Sequence, residues 1–278
     1  MSMTWIDGKK IAGIIESELI DKISKMKSKP CLSVVQVGVD PASTSYIKAK
    51  LNAAERVGIN LTHHHLSENT SKAELSVLVN KLNSTEDGII IQFPLPEGLE
   101  AVLNEIDPEK DVDGFHPLNL GKLVQGKPGL RPCTPAGIVE LLYRSGNNPL
   151  GKQVVVVGRS TIVGKPLSLI LSQKGVDATV TLCHSRTPNV QNFTKNADIL
   201  VVAVGRPNTV SANMVKQGAV VVDVGVNRTE AGLVGDVSSD VKDVASQLTP
   251  VPGGVGPMTV AMLMSNTVDA ALKKKLSD

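Results

Sequence analysis

Aromatic residues are nearly absent: three Phe, two Tyr and one Trp in 278 positions. The core must therefore be built from Val, Ile, Leu and Ala. Cysteine is scarce as well. Cys31, Cys133 and Cys183 are odd in number, far apart and contain no C-x-x-C pair, which argues against a disulfide frame or a zinc site and fits reduced thiols. No apolar run approaches the ~20 residues of a membrane helix; residues 199–204 and 219–222 form typical short ones. Asp7, Glu16, Glu18 and Asp21 interrupt any signal-peptide core near the N-terminus, so a cytoplasmic location and no membrane partner are expected. An excess of one charge is missing too: 29 basic against 27 acidic residues give a net +2, with no electrostatic case for nucleic acid.

What remains is ordinary globular material. Apolar residues make up 41% of the chain, and 278 residues suggest two domains at roughly 100–200 residues each. Helical and strand periods alternate almost throughout. Ile11, Ile14, Ile15, Leu19 and Ile23 mark one helix face over residues 9–27. Strands are predicted at 31–37, 60–66 and 88–92, with helices at 43–57 and 71–82 between them, which is the grammar of a parallel sheet. From 105 to 135 the period vanishes and Pro and Gly cluster, ending in Thr134 and Pro135 as an expected N-cap and first helical residue. A second block carries β-branched runs at 153–157, 178–182, 199–204 and 219–224, each of the kind buried on both faces. Another Pro/Gly loop then leads into a final helix from 258 to about 275. The expected fold is α/β in two domains with a cleft between them. Residues 1–134 plus 258–278 form one domain, and 135–257 form a Rossmann-like domain with a parallel sheet.

The cofactor signal is KQVVVVGRSTIVGKP, from Lys152. A buried strand ends at Gly158 and a helix begins near Val163, so backbone amides and the helix N-terminus would face a pyrophosphate. The spacing, Gly158-x-Ser160-x-x-x-Gly164, departs from G-x-G-x-x-G, and a tight turn in any parallel sheet is the plainer alternative. The next strand ends in His184, Ser185 and Arg186 without the carboxylate that an NAD site usually places there. Together with Arg159 this favours a 2′-phosphate, hence NADP.

Four further stretches carry polar residues without an obvious structural duty. In VGVDPASTSYIKAK, Ser43 or Ser45 is a candidate helix cap, and Tyr46 and Lys50 share a helical face, as a surface pair or as a hydroxyl that holds an amine. Gln92 stands at the carboxyl end of a strand before Pro94 and Pro96, either bonding the turn or facing a ligand. Asp111 and Asp113 flank Val112 in a loop that lacks the further ligands of a Ca²⁺ site; one of them is suited to an amino-substituted heterocycle. The run Pro252, Gly253, Gly254, Val255, Gly256 opens a helix and is suited to capping an anion or covering a cofactor. Of His63, His64 and His65 only the first and last share a strand face, with no third ligand, so no metal is expected.

In order along the chain, Y-x-x-x-K at Tyr46, I-Q-F-P-L-P around Gln92, K-D-V-D-G-F from Lys110, P-C-T-P from Pro132, V-G-R-S-x-x-V-G-x-P from Val157, V-D-V-G-V-N from Val222 and P-G-G-V-G-P-M-T from Pro252 together resemble the bifunctional methylenetetrahydrofolate dehydrogenase/methenyltetrahydrofolate cyclohydrolase family. The resemblance implies NADP-dependent oxidation of 5,10-methylenetetrahydrofolate, then hydrolysis to 10-formyltetrahydrofolate, within one-carbon metabolism that serves purine and amino-acid biosynthesis. It implies a folate site around Tyr46, Lys50, Gln92 and Asp113, covered by residues 252–256. It also implies NADP contacts from Gly158, Arg159, Ser160, Ser185 and Val226, reinforced by Arg186, and a homodimer through the NADP-binding domains. The partner is a small-molecule folate, with or without a polyglutamate tail. Competing readings are a dehydrogenase without hydrolysis, which the presence of Lys50 disfavours, and a nonenzymatic NADP-binding module.

Overall fold

The computed structural model describes residues 3–230 and 232–277. In chain order it opens with β1 (Thr4–Trp5), α1 (Gly8–Ser24), β2 (Cys31–Val37), α2 (Pro41–Val57), β3 (Asn60–Leu66), α3 (Lys72–Thr85) and β4 (Gly88–Ile91). α4 (Pro117–Val124), α5 (Cys133–Arg144), β5 (Gln153–Val157), α6 (Gly164–Ser172), β6 (Thr179–Cys183), α7 (Gln191–Thr194) and β7 (Ile199–Val202) follow. β8 (Val220–Asp223), β9 (Asn227–Thr229), β10 (Gly232–Val234), β11 (Gln247–Leu248) and α8 (Val255–Ser277) complete the chain. Two compact units result: Gly13–Cys133 with the chain from Val260 on, and the chain up to Ala12 with Thr134–Thr259.

The first unit is built on a three-stranded parallel sheet in the order β3-β2-β4. The central β2 is buried along almost its whole length because both faces are covered. Val35, Val37, Ile89 and Ile91 pack there with Leu75, Val79 and Leu82 of α3, an aliphatic core as the composition requires. α3 starts with a reciprocal capping box between Ser71 and Glu74. α2 starts two residues earlier than expected. Asp40, not Ser43 or Ser45, is its N-cap, accepting from Ser43 N at 2.7 Å, and Pro41 follows with no N–H to leave unpaired. The edge strand β3 puts the rings of His63 and His65 on one face, stacked at 5.9 Å between centroids. Their Nε2 atoms meet Gln36 Oε1 at 3.1 Å and Gly38 O at 3.0 Å, so the pair is engaged by its own sheet. Among the described residues no cluster of three or more His, Cys, Asp or Glu is placed to hold a metal ion.

The second unit carries a six-stranded, fully parallel sheet in the order β1-β11-β8-β7-β5-β6. β5, β7 and β8 match the β-branched runs and are buried; Val155, Val157, Leu200, Val202 and Val221 form their core. β6 does not fit the expectation of burial on both faces. It is an edge strand, and most of its side chains are only half-buried. β1 pairs with β11, which groups the chain's first residues with this sheet, whereas the sequence reading kept residues 1–134 together. The segment 105–135 also contains a helix that Pro and Gly masked, α4, capped by the His116 ring at Leu118 N. α5 begins at Cys133, one residue before the expected cap, with Pro135 in its first turn, where a missing N–H costs nothing.

Candidate functional site

In the first unit, α2 and the end of β4 bring Lys50 and Gln92 together. Lys50 Nζ donates to Gln92 Oε1 at 2.9 Å. Gln92 Nε2 in turn donates to Phe93 O at 2.9 Å, a carbonyl that also accepts from Ser43 Oγ at 2.9 Å. Gln92 thus bonds the turn, one of its two sequence readings, and also holds the Lys50 amine. Tyr46, one helical turn before Lys50, is 45% exposed, and its hydroxyl makes no hydrogen bond to the described residues.

The loop after β4 separates the two aspartates. Asp111 is buried, and its Oδ2 accepts from His116 N at 2.7 Å and Asn119 Nδ2 at 3.0 Å, so it is consumed by the scaffold. Asp113 accepts no hydrogen bond from the described residues. Burial pushes its carboxyl above the ordinary aspartate value, the nearby Lys50 charge pulls it down, and Asp111 pushes it up again.

Asn266 on α8 fastens the flanks of this loop: its Nδ2 donates to Val112 O at 2.8 Å and Arg131 O at 2.9 Å. Gly114, at φ +77°, lies so close to Arg131 and Pro132 that a Cβ would strike their backbone. Cys133 sits beneath, and burial raises its thiol well above the usual range, with Asp113 contributing. It is therefore a packed thiol and no nucleophile. Asn119, Cys133 and Asn266 were not anticipated. Their work is on backbone carbonyls or in packing, which leaves no spacing pattern to read.

In the second unit, the turn from β5 to α6 forms one side of a cavity of about 530 Å³. Gly158 takes φ +126°, and a Cβ on it would run into Ala203 O, while one on Gly164 would run into Gly158 O. Ser160 Oγ accepts from Val163 N at 3.1 Å, capping the start of α6. Gly158, Arg159, Ser160 and Ser185 all line the cavity. Arg186 and Val226 do not. Arg186 N donates instead to His184 Nδ1 at 3.1 Å, closing a local turn, and Val226 is 44% exposed beyond β8. Val204, Arg206 and Thr209 also line the cavity and were not singled out as site residues in the sequence.

In the stretch 252–256, Val255 and Gly256 already belong to α8, which starts three residues before the expected Met258. Gly253, at φ +111°, accepts from Lys9 N at 3.0 Å. A Cβ on Gly8 would strike Gly254 O, so the loop lies directly on the first turn of α1.

Comparison with known proteins is consistent over the whole chain. Residues 6–113 match the family model described as the tetrahydrofolate dehydrogenase/cyclohydrolase catalytic domain, and residues 132–275 match that family's NAD(P)-binding domain. The bifunctional protein FolD of Bacillus pumilus is 51% identical over 280 residues, covering 98% of each chain. The crystal structure of the bifunctional methylenetetrahydrofolate dehydrogenase/cyclohydrolase FolD from Campylobacter jejuni superposes with a TM-score of 0.94 at 44% identity, covering 98% of this chain and all of that one. The Trypanosoma brucei enzyme, solved with NADP cofactor and an inhibitor, gives 0.92 at 36% identity with both chains fully covered.

Proposed function

The chain belongs to the tetrahydrofolate dehydrogenase/cyclohydrolase family, it is an NADP-dependent methylenetetrahydrofolate dehydrogenase and a methenyltetrahydrofolate cyclohydrolase, and from that premise we propose how its residues divide the work. The unit around β2 binds the folate and the Rossmann-like unit binds NADP. The observation that carries this division is the contact between Lys50 and Gln92 beside an unpartnered, half-buried Asp113.

Dehydrogenation moves a hydride from the methylene carbon to the nicotinamide and leaves the methenyl cation. NADP supplies the acceptor; the protein supplies alignment. Asp113 accepts charge-assisted hydrogen bonds from the amino and ring N–H groups of the pterin, and Tyr46 offers its exposed ring to the bicyclic system. Residues 252–256 are assigned to folate binding as well.

In the second reaction, water adds to the cation and loses one proton. The resulting carbinol then gives up its hydroxyl proton as N5 takes one and the N5–carbon bond breaks, so one proton is released overall. Lys50, held by Gln92 with Tyr46 alongside, relays these protons. On the coenzyme side, Gly158 and Ser160 shape the turn for the pyrophosphate, Arg159 and Ser185 take the 2′-phosphate, Arg186 adds positive charge near it, and Val226 meets the nicotinamide end. The protein acts in the cytoplasm as a homodimer through its NADP-binding units, its 10-formyl product serving purine and amino-acid biosynthesis. Light scattering at micromolar concentration tests the dimer.

An absorbance time course with methylenetetrahydrofolate and NADP⁺ or NAD⁺ tests the chemistry. Reduction with NADP⁺ and loss of the methenyl band faster than its spontaneous hydrolysis are expected. Methenyl accumulation would remove the role given to Lys50.

A further inference from the structure

Two buried carboxylates of the second unit, Asp223 and Asp236, are not among the residues that line the 530 Å³ cavity, yet they hold some of those that do. Asp236 is fully buried, and four donors converge on it. Its Oδ2 accepts from Val204 N at 2.7 Å and Gly205 N at 2.9 Å, and its Oδ1 accepts from Arg206 N and Asn227 Nδ2, both at 2.9 Å. Its carbonyl oxygen also accepts from Thr209 N at 2.7 Å. Val204, Arg206 and Thr209 all line the cavity together with Gly158. One aspartate therefore sets the backbone of three of its lining residues.

Asp236 is itself held by Asp223 at the end of β8. Asp223 Oδ1 accepts from Asp236 N at 2.9 Å and from Gly225 N at 3.0 Å, while its Oδ2 accepts from Val237 N at 3.0 Å. The fit is tight around both carboxylates: a Cβ on Gly225 would overlap Asp236, and one on Gly235 would overlap Asp223. Seven N–H donors for two side-chain carboxylates are more than a loop needs to satisfy its polar groups, since a turn on the surface can leave its amides to water. The arrangement fixes the 204–206 turn in one conformation, with the Arg206 backbone clamped from behind.

We propose that Asp236, backed by Asp223, is the positioning residue for NADP: it touches no coenzyme atom but fixes the wall formed by Val204, Arg206 and Thr209 against which the nucleotide binds. This rests on reading the 530 Å³ cavity as the coenzyme site. The two reactions separate this role from a general structural one, because cyclohydrolase activity on methenyltetrahydrofolate needs no coenzyme.

The test is Asp236→Asn in the full chain. The amide keeps the size but turns an NH₂ toward the Val204 and Gly205 amides. The NADP KM should rise at least about tenfold, with the KM for methylenetetrahydrofolate and the coenzyme-free cyclohydrolase rate within about twofold of the parent. Should that variant not fold, Asn227→Ala removes one of the four donors and should raise the NADP KM by roughly two- to threefold. An unchanged NADP KM in a folded variant, or equal loss of both activities, overturns the proposal. Arg159→Ala serves as control for the cavity: if it leaves NADP binding intact, the site reading has failed and not the role of Asp236.

Discussion

The two units treat buried carboxylates in opposite ways. In the Rossmann-like unit, Asp223 and Asp236 are held by N–H groups from several backbone positions. In the other unit, among the described residues, Asp113 accepts no hydrogen bond and Lys50 makes one, to a side-chain amide. Saturation makes a rigid frame, because every lone pair that is already engaged resists rearrangement. Under-saturation makes a reagent, because a buried charge without a partner binds the first complementary group that enters. Asp111 and Asp113 show both uses within three residues.

Replacing the reagents should have the largest effect. Lys50→Met is expected to lower cyclohydrolase turnover by about 10²- to 10⁴-fold while hydride transfer survives at a reduced rate, as followed by the methenyl and reduced-nicotinamide bands. Equal loss of both activities with undiminished folate binding would move Lys50 out of the hydrolytic step. Asp113→Asn keeps the shape and removes the charge; the KM for methylenetetrahydrofolate should rise by about tenfold and that for NADP stay constant.

Perturbing the frame should instead appear in stability. Gly225→Ala forces a methyl against a carboxylate that four donors hold in place, and urea unfolding should register a loss of roughly 1–3 kcal/mol.

The last effect concerns pH. Burial raises Asp223 to about 6, its three backbone donors opposing and the Asp236 charge adding to the rise. The folded state thus holds a proton that the unfolded chain has already released. The contribution of Asp223 to stability is present below about pH 4 and lost as pH climbs through about 6. Compared with Asp223→Asn, the parent protein should gain up to about 1.4 kcal/mol per unit of acidification between pH 6 and 4 in paired urea melts. A flat difference would mean that the donors, and not burial, set its proton affinity.

The strands were legible where β-branched runs are buried, as in β5 and β2, and the half-exposed edge strand β3 also falls at the predicted residues. Periodicity fails for strands of two or three residues, so β1, β9, β10 and β11 left no trace, and α4 was hidden among prolines and glycines. In the site, Gln92 was readable as a polar residue ending an apolar strand, and Lys50 by its helical spacing from Tyr46. Asp236 was not, since its partners are almost all backbone amides, which every residue but proline possesses. The available signal was glycine. Gly225 and Gly235 stand beside the two aspartates because no side chain fits there.

The pairing of β1 with β11 bears on how the protein is made. Thr4 and Trp5 leave the ribosome about 240 residues ahead of their partners Gln247 and Leu248. At roughly 5–20 residues per second, the interval is on the order of tens of seconds. Throughout it the half-exposed Trp5 and the neighbouring Ile6 have no strand to cover them. Asn266, which fastens the Asp113 loop, emerges later still. Until β11 is made, β1 is therefore an unpaired strand open to a wrong neighbour.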